Sequence, residues 1–155
     1  MLEGDLIMQL KTITDQAFRC VLYLSGCQRP RNSETISKEI EVPEQSVKKI
    51  MSVLCKNDIV NRHCGKNRGY TLAKSPEKIF MYDVVALFED TCKINCCLGD
   101  DGYCNRDGIQ ADCPVRKILS DVQQQMNQRL KRVTFLELYE QTVEYKEKCA
   151  NPISL

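Results

Sequence analysis

Three thiols in one short polar loop carry the strongest chemical signal in this sequence. Cys97-Leu-Gly-Asp-Asp-Gly-Tyr-Cys104 runs into Asn-Arg-Asp-Gly-Ile-Gln-Ala-Asp-Cys113-Pro114, a C-x6-C-x8-C spacing, with Cys92 and Cys96 just upstream. The loop is too polar to form a core, and thiolates gathered in such a segment usually hold a soft metal or an iron–sulfur cluster. Gly99, Gly102 and Gly108 let the backbone fold tightly around inorganic sulfur. Pro114 directly after Cys113 matches the Cys-Pro step that closes many cluster motifs. Structural zinc wants four ligands, often in two C-x2-C pairs, and the sequence has no such pair. The spacing therefore favours a cluster, with zinc or unmetallated thiols as the alternatives.

Ten cysteines in 155 residues could instead staple a secreted fold. The opening Met1-Leu-Glu-Gly-Asp-Leu-Ile has acids where a signal peptide needs a basic segment, and no apolar stretch follows. We therefore expect a reduced, cytoplasmic setting, in which metal binding explains the cysteines better than disulfides. No apolar run approaches the roughly 18 residues of a membrane span, so no membrane partner is expected. Cys20, Cys55 and Cys149 fall at helical positions and read as small apolar residues. Cys27 and Cys64 lie at basic turns, where a thiol pKa tends to fall. His63, the single histidine, is far from the cysteine loop and is not expected to be a ligand. There is no phosphate loop, nucleophile elbow or His-rich metalloenzyme motif, so an enzyme is not expected.

The loop must be positioned by what surrounds it. Apolar residues at Ala17, Phe18, Val21, Leu22 and Leu24 predict a one-sided helix over Asp15–Gly26. A basic, turn-rich stretch, Gln28-Arg-Pro-Arg-Asn-Ser33, precedes a short helix over Thr35–Ile40. Glu41-Val-Pro43 breaks the chain, and a second helix follows over Glu44–Asn57 with Val47, Ile50, Met51 and Leu54 inward. Two helices joined by so short a turn are a helix-turn-helix candidate. Asp58–Arg62 reads as a strand, His63–Gly69 as a basic turn and Tyr70–Ala73 as the returning strand. Helix, turn, helix and basic hairpin is the order of a winged helix, so the fold class is mainly α with a small β-hairpin wing.

After the wing, Ser75-Pro-Glu77 reads as a helix cap and Met81–Asp90 as the helix. Beyond the cysteines, Val115, Ile118, Leu119, Val122, Met126 and Leu130 recur at helical spacing through Pro114–Lys131. The stretch from Gln123 to Gln128 is polar apart from Met126. A narrow apolar stripe on a long polar helix suits a two-helix contact, hence a homodimer. Thr134-Phe-Leu-Glu137 is a capping box opening a last helix to about Lys148. The expected division is a winged-helix domain over 8–90, a cluster loop over 91–113, and a dimerisation helix with the C-terminal helix over 114–148.

Net charge is only +1, but it is unevenly spread. Met8–Leu72 carries 11 Lys/Arg against 6 Asp/Glu, whereas Ser75–Val115 carries 3 against 8. A basic front half and an acidic cysteine loop are surfaces with different partners. Gln45, Ser46, Lys48 and Lys49 project from the early face of the second helix, and Arg62, Lys66 and Arg68 lie in or beside the hairpin. These seven are the residues expected to contact double-stranded DNA.

Taken together, these stretches resemble the Rrf-two family of bacterial winged-helix regulators, which includes the iron–sulfur sensors IscR and NsrR. Matching segments are Leu10–Arg19, Ile36–Pro43, Val47–Ile50, Gly69–Ala73, Ser75–Ile79, the cysteine loop, Cys113–Leu119 and Val133–Leu138. The resemblance implies a homodimer built on the long helix, and a cluster held by three loop cysteines and a fourth ligand. It assigns the three to Cys97, Cys104 and Cys113, with Cys96, then Cys92, as alternatives to Cys97. IscR-like members place a histidine shortly after the last cysteine, where this chain has Arg116. NsrR-like members use the aspartate of a Thr-Asp-x-Ala motif from the partner subunit, which here is Thr14-Asp15-Gln16-Ala17. The resemblance is thus closer to NsrR and implies Asp15 as the fourth ligand of a 4Fe–4S cluster, with 2Fe–2S as the alternative. The alternative for Asp15 is a carboxylate that complements the N-terminal helix dipole.

The function these features lead us to expect is a DNA-binding repressor controlled by a cluster that senses nitric oxide, redox state or iron–sulfur status. Two other readings remain open at this level. One is a cluster-free winged-helix regulator that responds to a metabolite or partner protein, its thiols idle or zinc-bound. The other is an electron-transfer protein with a vestigial winged domain.

Overall fold

The computed structural model describes residues 10–90, 92–99 and 113–150, the last five of these by backbone only. Six α-helices and one hairpin follow in order: α1 (Thr12–Ser25), α2 (Ser33–Ile40), α3 (Glu44–Lys56), β1 (Val60–His63), β2 (Gly69–Leu72), α4 (Met81–Phe88), α5 (Pro114–Leu130) and α6 (Phe135–Ala150). The expected segments all form, with ends shifted by a few residues.

One core joins α1, α2, α3 and α4 to the hairpin. Ala17, Cys20, Val21 and Leu24 of α1 meet Ile36 of α2, Val47, Ile50, Met51 and Leu54 of α3, and Val84 and Phe88 of α4. Phe135, at the start of α6, is fully buried in the same cluster, and α6 packs against α1. The chain thus returns to this core after α5.

Local chemistry sets the α2–α3 turn. The Asn32 side chain accepts the Thr35 amide at 2.7 Å and caps α2. Glu41 adopts a left-handed conformation (φ 55°) that ends the helix. The Ser37 hydroxyl donates to the Val42 carbonyl at 2.7 Å, closing the turn, and Pro43 is the N-cap of α3. Pro43 lacks an amide hydrogen, and none is needed there.

The wing is a two-stranded antiparallel ribbon in which Val60 pairs with Leu72 and His63 with Gly69. Its outer edge is extended by one residue from the α1–α2 linker. The Tyr70 amide donates to the Arg31 carbonyl at 2.8 Å, and the Arg31 amide donates to the Tyr70 carbonyl at 3.1 Å. This pairing explains Gly69, which sits at φ +154° with the Arg31 carbonyl carbon 2.7 Å from where a Cβ would stand. Gly69→Ala is therefore expected to undock the wing from Arg31 and to cost about 1–3 kcal/mol. Urea denaturation measures the loss, and an unchanged midpoint would show that the pairing is dispensable.

The helix cap expected at Ser75 is corrected. Pro76 opens a separate 3-10 turn, Pro76–Lys78, and Ser75 makes no side-chain capping bond there. α4 is held by Asp83, whose carboxylate accepts the Phe80 amide at 3.0 Å. The Thr134–Glu137 capping box forms reciprocally: the Glu137 carboxylate accepts the Thr134 amide at 3.1 Å and Thr134 Oγ1 accepts the Glu137 amide at 3.2 Å.

Candidate functional site

α3 lies with Val47, Ile50, Met51 and Leu54 buried, so its opposite face is left to solvent. Gln45, Lys48 and Lys49 are exposed on that face and Ser46 is half-buried. Between α3 and the wing runs a groove of about 740 Å³. Lys48 and Lys56 from α3 line it together with Arg62 and Arg68 from the wing. Gln45, Ser46, Lys49 and Lys66 lie outside its lining, Lys66 in the 3-10 turn Gly65–Asn67 at the hairpin tip. The structure therefore brings Lys48, Arg62 and Arg68 around one concavity and leaves the other four predicted residues on the surfaces beside it.

Lys48 is held in place. Its ammonium pairs with Glu44 at 2.9 Å, and the other contact of the same carboxylate oxygen is the Ser33 hydroxyl at 2.8 Å. Lys48 and then Ser33 hold the Glu44 carboxyl below the usual carboxylate range. A depressed carboxyl favours the folded state above its unfolded pKa, and this contribution is lost as the pH falls from there through the lower folded pKa. Helical spacing carries no sign of the Ser33 contact, because Ser33 belongs to a different helix.

A second candidate region begins where α4 ends. Glu89 accepts both the Lys11 amide, at 2.9 Å, and the hydroxyl of the fully buried Thr14. Lys11 also pairs with Asp90 at 2.6 Å. The start of the cysteine segment is thereby fastened to the N-terminus of α1, where a carboxylate is electrostatically favoured. Asp15, the next residue along α1, is exposed and paired with Arg19 at 2.9 Å.

The segment is fastened to α5 as well. Gln123 is only 6% exposed; its Oε1 accepts the Ile94 amide at 2.7 Å and its Nε2 donates to the Cys92 carbonyl at 2.7 Å. Asn95 accepts the Cys97 amide at 3.2 Å, and the 3-10 turn Cys96–Leu98 packs on α5. Cys113 is the N-cap of α5 but makes no side-chain capping bond. Gln123 and Glu89 were both missed from the sequence. Gln123 sits in a run of polar residues that reads as solvent-facing, and its partners lie about thirty residues away.

Cys92, Cys96, Cys97 and Cys113 are all free thiols, half-buried except for the exposed Cys96. Cys104 lies outside the described residues. Among the described residues no three His, Cys, Asp or Glu side chains stand close enough to hold a metal ion. Reduced, partly accessible thiols on both sides of residues 100–112 are donors of the right softness for iron. Cys20 is different: it is fully buried and burial pushes its thiol up to about 12, which makes it a core residue without thiolate chemistry.

The apolar stripe of α5 divides into two. Leu119, Met126 and Leu130 are half-buried, whereas Val115, Ile118 and Val122 are 64%, 63% and 46% exposed. No helix among the described residues is long and apolar enough to cross a membrane.

A helix pair with an exposed second helix and a flanking basic hairpin defines a winged-helix DNA-binding protein. The chain belongs to the Rrf2 family, described as iron-dependent transcriptional regulators, whose pattern matches residues 10–141. A protein of Aquifex aeolicus (strain VF5) carrying an HTH-type transcriptional regulator name is 29% identical over 121 residues, covering 78% of this chain and 81% of its own. CymR, the global cysteine regulator of B. subtilis, has a similar structure, with a TM-score of 0.72 at 16% identity, covering 86% of this chain and 98% of its own. T. potens IscR gives a TM-score of 0.70 at 16% identity, covering 90% and 91%. At such identities the two structures speak to fold alone. The protein is a transcriptional regulator of this family.

Proposed function

We propose that this regulator is a cytoplasmic homodimer that represses transcription from a double-stranded DNA operator under the control of an iron–sulfur cluster. The observation that carries this reading is the placement of free, accessible thiols, with Cys97 and Cys113 on either side of residues 100–112, in a segment fastened both to α1 and to α5. Cys97, Cys104 and Cys113 hold the group, and Asp15 of the partner subunit supplies the fourth ligand of a 4Fe–4S site. A bound cluster supplies an iron centre that nitric oxide, oxygen or iron scarcity can damage. The chain's own residues do the rest. Residues 91–113 link the winged-helix unit, 8–90, to the dimer arm, 114–148. Glu89 transmits the position of the loop to the N-terminus of α1, which packs directly on α3. Fixing or releasing the loop then shifts the population between DNA-competent and incompetent spacings of the two α3 helices.

On the DNA side, α3 enters the major groove and Gln45, Ser46, Lys48 and Lys49 reach base edges or phosphates. Arg62, Lys66 and Arg68 engage the backbone or the adjacent minor groove. A selection from random duplex DNA, followed by anisotropy titrations over a salt series, tests this reading. Lys48→Ala is expected to weaken binding and to lower the salt slope by about one if Lys48 meets a phosphate, or to relax one base position at a cost of about 1–3 kcal/mol if it meets a base. Unchanged affinity and unchanged sequence preference would contradict the placement of α3. Operator binding that is equal with and without the cluster would instead favour a regulator answering to a metabolite or partner protein.

A further inference from the structure

Gln123 is buried in the middle of α5, while its neighbours Gln124 and Gln125 on the same helix are exposed. Its amide makes three hydrogen bonds. Oε1 accepts the Ile94 amide at 2.7 Å, and Nε2 donates to the Cys92 carbonyl at 2.7 Å and to Asn127 Oδ1 at 3.0 Å. Both loop partners are main-chain atoms, so the contact fixes the path of the backbone rather than one side chain. Asn95 continues the restraint by accepting the Cys97 amide at 3.2 Å and the Cys96 thiol at 3.2 Å. Only a primary amide can accept from an N–H and donate to two oxygens at once; glutamate lacks the donor and methionine lacks both functions.

We propose that Gln123 is a positioning residue for the thiolate loop: it presets the main chain at Cys92–Ile94, and through it Cys97, against the helix that opens at Cys113. This rests on the cluster reading above, since the loop's geometry matters only if the thiolates must converge on one group. A loop held in advance loses less freedom when its sulfurs are captured, so the captured group leaves more slowly. Removing two hydrogen bonds to the loop should loosen its docked state by on the order of tenfold.

The test uses the full chain with Gln123→Met, close in size and without hydrogen bonds. Hydrogen–deuterium exchange at Ile94 is measured in metal-free protein, and iron release to a chelator is measured in anaerobically reconstituted protein. Exchange at Ile94 and iron release are both expected to accelerate about tenfold, while exchange of the α1 and α3 core amides stays as in wild type. Asn127→Ala, which only frees the amide to rotate, should show smaller changes of the same kind, and Gln124→Met should show none. Iron release at the wild-type rate from Gln123→Met would overturn the proposal while leaving the cluster reading intact, and so would acceleration matched by an equal loosening of the core amides. A wild-type protein that takes up no iron overturns both.

Discussion

Cys113→Ser is expected to fold as well as wild type, to bind little or no iron, and to lose the operator response to nitric oxide. Cys113 sits at the N-cap of α5, half-buried, with no side-chain bond to the helix. The substitution therefore breaks no capping bond. Serine is a much better N-cap than cysteine, and a capping hydroxyl adds about 0.5–2 kcal/mol relative to a side chain that does not cap. The substitution should thus hold or raise the melting temperature while removing a soft donor that a hydroxyl cannot replace at neutral pH. Loss of an outer-sphere partner already costs metal sites about 10–100-fold in affinity, and loss of a direct ligand should exceed that. Iron per chain, a thermal melt and a DNA titration with and without a nitric oxide donor separate the two effects. A variant that keeps its visible absorbance and its DNA response would remove Cys113 from the site.

Ile118→Asp is expected to give monomers and to lower operator affinity by about three orders of magnitude or more. Val115, Ile118 and Val122 form one exposed apolar stripe on α5. Fully burying a Val or Ile side chain is worth about 1.5–3 kcal/mol, so covering the stripe on two copies is a large fraction of what holds a modest dimer. Aspartate at the centre of the stripe removes one such residue from each copy. Near a two-fold axis it also sets like charges close together. A monomer reads one half-site, and the gain from linked binding disappears. Sedimentation velocity reads the oligomeric state and anisotropy reads the affinity. A dimer that persists in Ile118→Asp at micromolar protein would place the subunit contact elsewhere.

Elements with local chemistry were legible from the sequence. The α2–α3 break is written in Val42-Pro43, the start of α6 in Thr134 and Glu137, and the inner face of α3 in Val47, Ile50, Met51 and Leu54. What escaped was long-range pairing. Arg31 extends the wing from the α1–α2 linker, which gives Gly69 its backbone requirement, yet nothing near Arg31 reads as strand. Glu89 reads as a surface acid at a helix end, but it serves the start of α1 from 78 residues away. Gln123 reads as one more polar residue on a polar helix, but it is the buried tie between α5 and the thiol segment. In each case a hydrogen bond to a main-chain group far away in sequence does the fastening, and periodicity carries no information about such a pair. Helical spacing makes the stripe on α5 one face, whereas the structure divides it between half-buried Leu119, Met126 and Leu130 and exposed Val115, Ile118 and Val122.

The most direct measurement is the visible spectrum of protein isolated without air, supplied with ample iron and sulfide, together with iron and acid-labile sulfide per chain. A thiolate-held 4Fe–4S cluster predicts a brown protein with about four irons and four sulfides per chain. A colourless protein under those conditions, metal-poor or carrying zinc alone, would contradict it.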